Sequence, residues 1–399
     1  MHNIVRGSVC AAALVASPVL AAEYYIQPVA TLTAENDSNL DLDPGVKQQV
    51  QGYLADLAAL IGIDTPQSAT ILRPRITYRY YPKESADNRL EAYLDLNTTY
   101  RTQRSVASLV GSIQHLDLFN AELSSSTFND VNPNQPPPDT GRSIVGATRD
   151  SVILYPKYQY SVTPLLGLGA NGQYQLVKYS PSSVSGHVDF DYYMGRVFGN
   201  YAVTQTSTLL FGGFGSKYEA RRFFSQATGK GATVELDTNW TALFSTRAAL
   251  IYQITDLDAA LPQPARARVN AWGGTVNALY KTQITQYRLL AGRQVSPSGG
   301  GSLYNTDRVQ FEYDRNLTAR WDMTAAVIGL RTHALTQNVA GYDRKYLQTL
   351  FETRYSLTQR WFVQGGYAYA WQKYQYDVNS AANNRFYVQV GYKGLGQQR

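Results

Sequence analysis

The 399-residue chain carries 36 Lys and Arg against 30 Asp and Glu, a formal charge of +6, with 31 Tyr, 31 Gly, 3 Met and a single Cys. Its mean hydropathy is −0.31 and it has no uninterrupted apolar stretch of about 18 residues, so it does not cross a membrane as helices. The basic residues are dispersed and not clustered, which argues against a nucleic-acid surface.

Residues 1–22, MHNIVRGSVCAAALVASPVLAA, read as a secretory signal peptide. Arg6 supplies the positive end, Val9 to Val15 the short apolar centre, and Leu20-Ala21-Ala22 the small residues for cleavage. Cys10 lies inside this segment. The mature chain, 23–399, would then hold no cysteine, which excludes disulfides, thiolate metal sites, iron–sulfur clusters and c-type haem. It is expected to be one exported domain, and any membrane integration must use strands.

A first strand is expected at 24–36, followed by a long loop, 37–69. Within it Val46, Val50, Tyr53, Leu54, Leu57, Leu60 and Ile61 recur at helical spacing, between Pro44 and Gly62, which predicts a short loop helix near 44–63. Strands follow at 70–81 and 88–103. The stretch 104–150 contains Asn132-Pro133-Asn134-Gln135-Pro136-Pro137-Pro138, which cannot pair in a ladder. It is either one long loop or a loop plus two further strands.

From 151 a regular series begins. Short links centred on Thr163, Thr204, Thr246, Thr282, Thr318 and Thr358 recur about every 40 residues, and longer Gly-, Pro-, Ser- and Asn-rich links (180–187, 225–231, 258–265, 297–303, 336–341, 377–384) alternate with them. Short periplasmic turns opposite longer external loops are the asymmetry of a membrane barrel. Each run alternates. In 90–101 Leu90, Leu94 and Tyr100 oppose Glu91, Asp95 and Arg101; in 308–314 Val309, Phe311 and Tyr313 oppose Arg308, Gln310, Glu312 and Asp314. In 343–358 Leu347, Phe351 and Tyr355 oppose Arg344, Glu352 and Arg354. Full charges in mid-strand suit a wet lumen and not a packed sandwich core. The expected fold is all-β, a transmembrane antiparallel barrel of about 16 strands, with 18 as the alternative.

No catalytic, cofactor or metal site is expected. His115, His187 and His333 are single and widely spaced, and His187 beside Asp189 and Asp191 reads better as a solvated loop end than as a triad fragment. Gly212-Gly213-Phe214-Gly215 reads as close strand packing, and Gly299-Gly300-Gly301 as a flexible loop tip. The informative set is the arginines. Arg73, Arg75 and Arg79 share one face of 70–81, and each would cost roughly 2 to 4 kcal/mol facing lipid at mid-bilayer. They are expected to line the lumen as a cationic ladder, extended by Arg266 and Arg268 and by Arg344 and Arg354, and partly neutralised by Asp95, Glu312 and Glu352. Two readings stay open: an anion-preferring pore, or a wall of cross-strand ion pairs.

Three stretches carry a resemblance. Ala34-Glu35-Asn36-Asp37-Ser38-Asn39-Leu40 resembles the early strand-to-loop motif of a family of outer-membrane β-barrel porins, many of them encoded beside exopolysaccharide export genes. Arg73-Pro74-Arg75-Ile76-Thr77-Tyr78-Arg79-Tyr80 with Asn88-Arg89-Leu90-Glu91 is similar to their second hairpin, as is Leu154-Tyr155-Pro156-Lys157-Tyr158 with Thr163 and the strand through Tyr179. The resemblance implies a porin-type barrel and a role in polysaccharide passage; it carries over no functional residue. Such barrels usually end on an aromatic read by the barrel-assembly machinery, whereas here Lys393-Gly394-Leu395-Gly396-Gln397-Gln398-Arg399 follows Tyr392. The partners expected are outer-membrane lipids, that machinery, and small polar solutes or polysaccharide.

Overall fold

The computed structural model describes residues 22–45, 47–83, 88–118, 147–180, 187–220, 225–259, 265–335, 343–375 and 377–398. The expected signal peptide and the proline-rich stretch 132–138 lie outside the described residues. The strands are β1 (Glu23–Asp37), β2 (Val50–Asp64), β3 (Ser68–Tyr80), β4 (Arg89–Arg101), β5 (Ser105–Asp117), β6 (Thr148–Ser161), β7 (Leu166–Ser180), β8 (Phe190–Ala202) and β9 (Ser207–Ala220). They continue as β10 (Ser225–Asn239), β11 (Phe244–Ala259), β12 (Ala265–Lys281), β13 (Thr285–Pro297), β14 (Leu303–Asn316), β15 (Trp321–Ala334), β16 (Arg344–Ser356), β17 (Trp361–Tyr374), β18 (Ala381–Lys393) and the two-residue β19 (Gln397–Gln398).

Each long strand pairs antiparallel with the next, and β1 closes the sheet on β18 from Val29↔Lys393 to Asp37↔Arg385. The seam keeps the alternation in phase: Leu32 meets Val390 on the outside and Glu35 meets Tyr387 on the inside. A slip of one residue would turn every charge on the strand toward lipid, so the pattern fixes the register. Pro28 has no N–H to give on its β18 side, and there the ladder breaks: Gly394 N donates to Pro28 O (2.8 Å) and pairing resumes at Ile26↔Gln397.

The barrel therefore has eighteen long strands, not sixteen. Of the two added, β5 comes from 104–150, where the sequence allows either one long loop or two further strands. The other, β2, occupies most of the predicted helix 44–63 and much of the predicted loop 37–69. Tyr53 and Leu57 face outward while Leu54, Ala58 and Leu60 face inward, so β2 is apolar on both faces and its period of two is masked. The link expected at 225–231 also belongs to a strand, β10.

The outer face is apolar and open to the surroundings: Leu32 is 68% exposed, Leu250 67% and Trp272 70%. Tyr280, Tyr287 and Tyr313 stack in a row (centroids 6.0 and 5.0 Å) near the short-turn end, with Trp321 and Trp361 at the same end. An apolar belt with aromatics at its margin, around a polar lumen, is the surface of a lipid-embedded barrel.

Eight tight turns close that end, and threonines 65, 102, 163, 204, 241, 282, 318 and 358 sit one in each. In every one the Thr Oγ1 accepts the backbone N–H two residues ahead, as from Leu165 to Thr163 (3.3 Å), Leu243 to Thr241 (3.2 Å) and Arg360 to Thr358 (3.1 Å). This hydroxyl-to-backbone bond is what the recurring Thr supplies. The turn expected at Thr246 is instead 240–243, with Thr246 inside β11.

Candidate functional site

The lumen narrows at the loop end. Loop 298–302, between β13 and β14, leans across to the far wall: Tyr218 Oη of β9 donates to Ser298 O (2.7 Å), and Val188 N donates to Gly299 O (2.8 Å). Leu303 at its end is buried with Leu118, Ala147, Val177, Tyr179 and Phe190. The triple glycine is thus no flexible tip. Gly301 takes φ 79°, open to glycine, and the bare backbone lies close to the wall. His187 is buried as well, not solvated; its ring lies 4.8 Å from that of Tyr179, whose N–H donates to Asp189 Oδ1 (2.9 Å).

A second loop enters from another arc. Leu42, between β1 and β2, packs on Tyr346, Ala370 and Ala381 of the inner wall, and its carbonyl accepts from Gln372 Nε2 (2.8 Å). Leu42 has φ 49°, a conformation non-glycine residues rarely hold unless their surroundings fix it. Buried Asn39 supplies that fixing: its Nδ2 donates to Asp43 O (2.9 Å) and Ala382 O (3.2 Å), and its Oδ1 accepts from Asp43 N (3.1 Å).

Inside, cross-strand ion pairs cover much of the wall. Arg73, Arg75 and Arg79 share one face of β3, on the parity of Thr77, and two of them are paired with carboxylates. Arg75 Nε meets Asp56 Oδ2 of β2 at 2.5 Å, and Arg79 lies between Glu35 (3.7 Å) and Glu91 (3.5 Å). No carboxylate among the described residues is within ion-pair distance of Arg73, though Asp95 is its register partner. On the other side of the seam Arg354 pairs with Asp322 (3.0 Å), Glu352 accepts from Tyr387 Oη, and Arg344 is buried over the Tyr346 and Tyr374 rings (4.7 and 5.7 Å). Arg266 and Arg268 are not lumenal at all. They share the outward face of Trp272 and pair with Asp258 (3.0 Å) and Asp256 (2.6 Å).

A second cation cluster lies around a lumenal cavity of ≈ 530 Å³ under loop 298–302. Its charged lining is Lys157, Arg196, Arg247 and Arg308 against Glu235 alone. Lys157 Nζ and Arg196 Cζ both lie over the Phe198 ring (5.8 and 5.4 Å). Arg196 and Arg247 share Glu235 (3.6 and 3.4 Å), and Arg247 also holds Asp237 (2.5 Å). Alternation places Arg308 on the polar face of its strand from sequence. Arg247 was hidden because 245–247 was read as a turn, and Lys157 and Arg196 are single basic residues in runs otherwise rich in Tyr, Gly and Phe.

The three described histidines outside the expected signal do not meet: His115 Nδ1 pairs with Asp150 Oδ1 (2.6 Å) on the outer face, His187 is in the mouth, and His333 is on β15. Among the described residues no three His, Cys, Asp or Glu side chains group as metal ligands.

No protein-family model matches the sequence, and no curated protein does. Solved structures are similar in outline. One is OccK2 (OpdF) of Pseudomonas aeruginosa, in complex with glucuronate: 11% identity, covering 93% of this chain and 98% of that one, TM-score 0.45. Another is the outer membrane protein OpdK of the same organism, at 12% identity, 94% and 99% coverage, TM-score 0.43. A third is OccAB3 of Acinetobacter baumannii, at 9% identity, 93% and 99% coverage, TM-score 0.42. The architecture rests on the chain's own register. A closed antiparallel barrel of eighteen long strands, apolar outside and charged within, is a transmembrane β-barrel of the outer-membrane class.

Proposed function

We propose that the protein is a passive outer-membrane channel for small polar solutes, with a preference for anions. The observation that carries this reading is the cavity lined by Lys157, Arg196, Arg247 and Arg308 against Glu235. Such a surplus, in a lumen narrowed by loop 298–302, raises the local concentration of anions and repels cations. A cavity of ≈ 530 Å³ falls within the range that holds small molecules and would not pass a folded chain. Insertion by the barrel-assembly machinery belongs to the same proposal.

The test is single-channel conductance of the refolded chain, residues 23–399, in planar bilayers under a KCl gradient. Steady steps with an anion-selective reversal potential are expected. Replacing Lys157, Arg196, Arg247 and Arg308 by Gln should lower the anion-over-cation permeability ratio by about tenfold. A folded barrel that conducts without selectivity overturns the anion preference. One that does not conduct overturns the channel, in favour of a component of exopolysaccharide export that needs periplasmic partners to open.

A further inference from the structure

The outward face of the barrel carries a row of three cations on adjacent strands. Arg331 on β15, Lys345 on β16 and Lys373 on β17 are direct register partners, Arg331↔Lys345 and Lys345↔Lys373. All three are exposed, and they share the outward parity of Val327, Leu347 and Trp371. Like charges directly opposite one another on adjacent strands destabilise a sheet. Three other outward cations are matched: Lys217 with Glu219 (2.6 Å), Arg266 with Asp258 and Arg268 with Asp256. Here no carboxylate among the described residues lies within ion-pair distance. Asp307, the register partner of Arg331, is held by Arg293 (2.5 and 2.8 Å), and Asp343 accepts from the Ala334 N–H (3.0 Å).

The height of the row identifies what meets it. On β15 the outward Trp321 marks the lower margin of the apolar belt, and Arg331 lies about 10 residues above it. At roughly 3.3 Å per residue and a strand tilt near 40°, that climb is about 25 Å, the thickness of the belt of a membrane barrel. The three cations therefore stand at the upper head-group plane, two residues above Leu347 and Trp371 on the same face, and face lipid, not the lumen.

We propose that Arg331, Lys345 and Lys373 form a binding site for the phosphate groups of a phosphorylated glycolipid in the outer leaflet, whose acyl chains lie beside Leu347 and Trp371. The phosphates supply the negative charge that the sheet omits, and the apolar residues below hold the same molecule's tails.

The test is native mass spectrometry of the refolded chain in detergent with diphosphoryl lipid A, beside the same lipid freed of phosphate. The wild-type barrel should retain the phosphorylated form selectively. Arg331→Gln/Lys345→Gln/Lys373→Gln should bind it about a hundredfold more weakly, at roughly fivefold per cation, while Arg266→Gln/Arg268→Gln binds as wild type. Equal retention of the phosphate-free lipid, or unchanged binding by the triple variant, overturns the site. A second measurement needs no variant: amine-reactive labelling of Lys345 and Lys373 in the wild-type barrel. Diphosphoryl lipid should protect both lysines. Absence of protection overturns the site, and equal protection by millimolar inorganic phosphate alone overturns the lipid as its occupant.

Discussion

Two arcs of the same lumen treat their basic residues differently. On β3 and β4 three lumenal arginines are matched by carboxylates one or two strands away: Arg75 by Asp56, Arg79 by Glu35 and Glu91, Arg89 by Asp117. On the arc from β6 to β14, Lys157, Arg196, Arg247 and Arg308 converge on one cavity whose lining includes a single acid, Glu235. The first arc holds three arginines of a single strand in a row, and the sequence points to it; the second is assembled from four strands far apart in the chain. Charge in a barrel wall is thus a property of the register and not of the strand. What a basic residue does in the lumen depends on which side chain stands opposite it on its neighbour.

The largest effect expected of this contrast is on folding. Arg79 is nearly enclosed, and Glu91 beside it is fully buried. Arg79→Ala would remove the cation that lies between the Glu35 and Glu91 carboxylates. The barrel should lose about 3 kcal/mol, read as a lower urea midpoint for unfolding from detergent micelles, with little change in selectivity. An unchanged midpoint would mean that water in the lumen solvates the two acids, and that the matched arc is no more cohesive than the other.

The next effect is on conduction. Glu235 is shared by Arg196 and Arg247 and is the one acid lining the cavity. Glu235→Gln removes a unit of negative charge where the passage is narrowed, and should raise the anion-over-cation permeability ratio by about fivefold. A fall in the ratio would show that Glu235 positions the two arginines more than it offsets them. A smaller effect is expected at the mouth. Tyr218→Phe deletes the bond to Ser298 O and should weaken the seat of loop 298–302 by about 1 kcal/mol, visible as faster current fluctuations without loss of the barrel. If the current is as quiet as in the wild type, the buried apolar contacts of Leu303 hold the loop unaided.

The alternation of outward apolar and inward charged residues was legible along most of the chain, because lipid outside and water inside impose a period of two that the amino acids cannot evade. It placed Val309 and Phe311 outside, where both are exposed. Where it failed, one face lacked its usual chemistry. β2 carries Leu54, Ala58 and Leu60 inward, beside a mouth partly filled by the chain itself, and so reads as a helix. That one failure hid the partner of Arg75, since Asp56 lies on β2. The inward loops could not be read either. Leu42 and the glycines of 298–302 bury against residues far away in sequence, and nothing local distinguishes them from exposed loop tips.

The smallest effect bears most directly on what the matched arc contributes. Arg75 is about half exposed and its pair with Asp56 is open to the lumen, so removing either partner should cost under about 1 kcal/mol of stability. The two removals act in opposite senses on the current. Asp56→Asn frees the Arg75 guanidinium and should shift the reversal potential toward anions. Arg75→Gln frees the Asp56 carboxylate and should shift it toward cations by a similar amount. The double variant removes both charges together and should return close to the wild-type potential. If the shifts cancel in this way, the arc is silent because it is paired, and the anion preference belongs to the Lys157–Arg308 arc. If Arg75→Gln moves the potential and Asp56→Asn does not, Asp56 fails to neutralise its partner in the working channel. The arginine ladder of β3 would then contribute to selectivity alongside the cavity cluster.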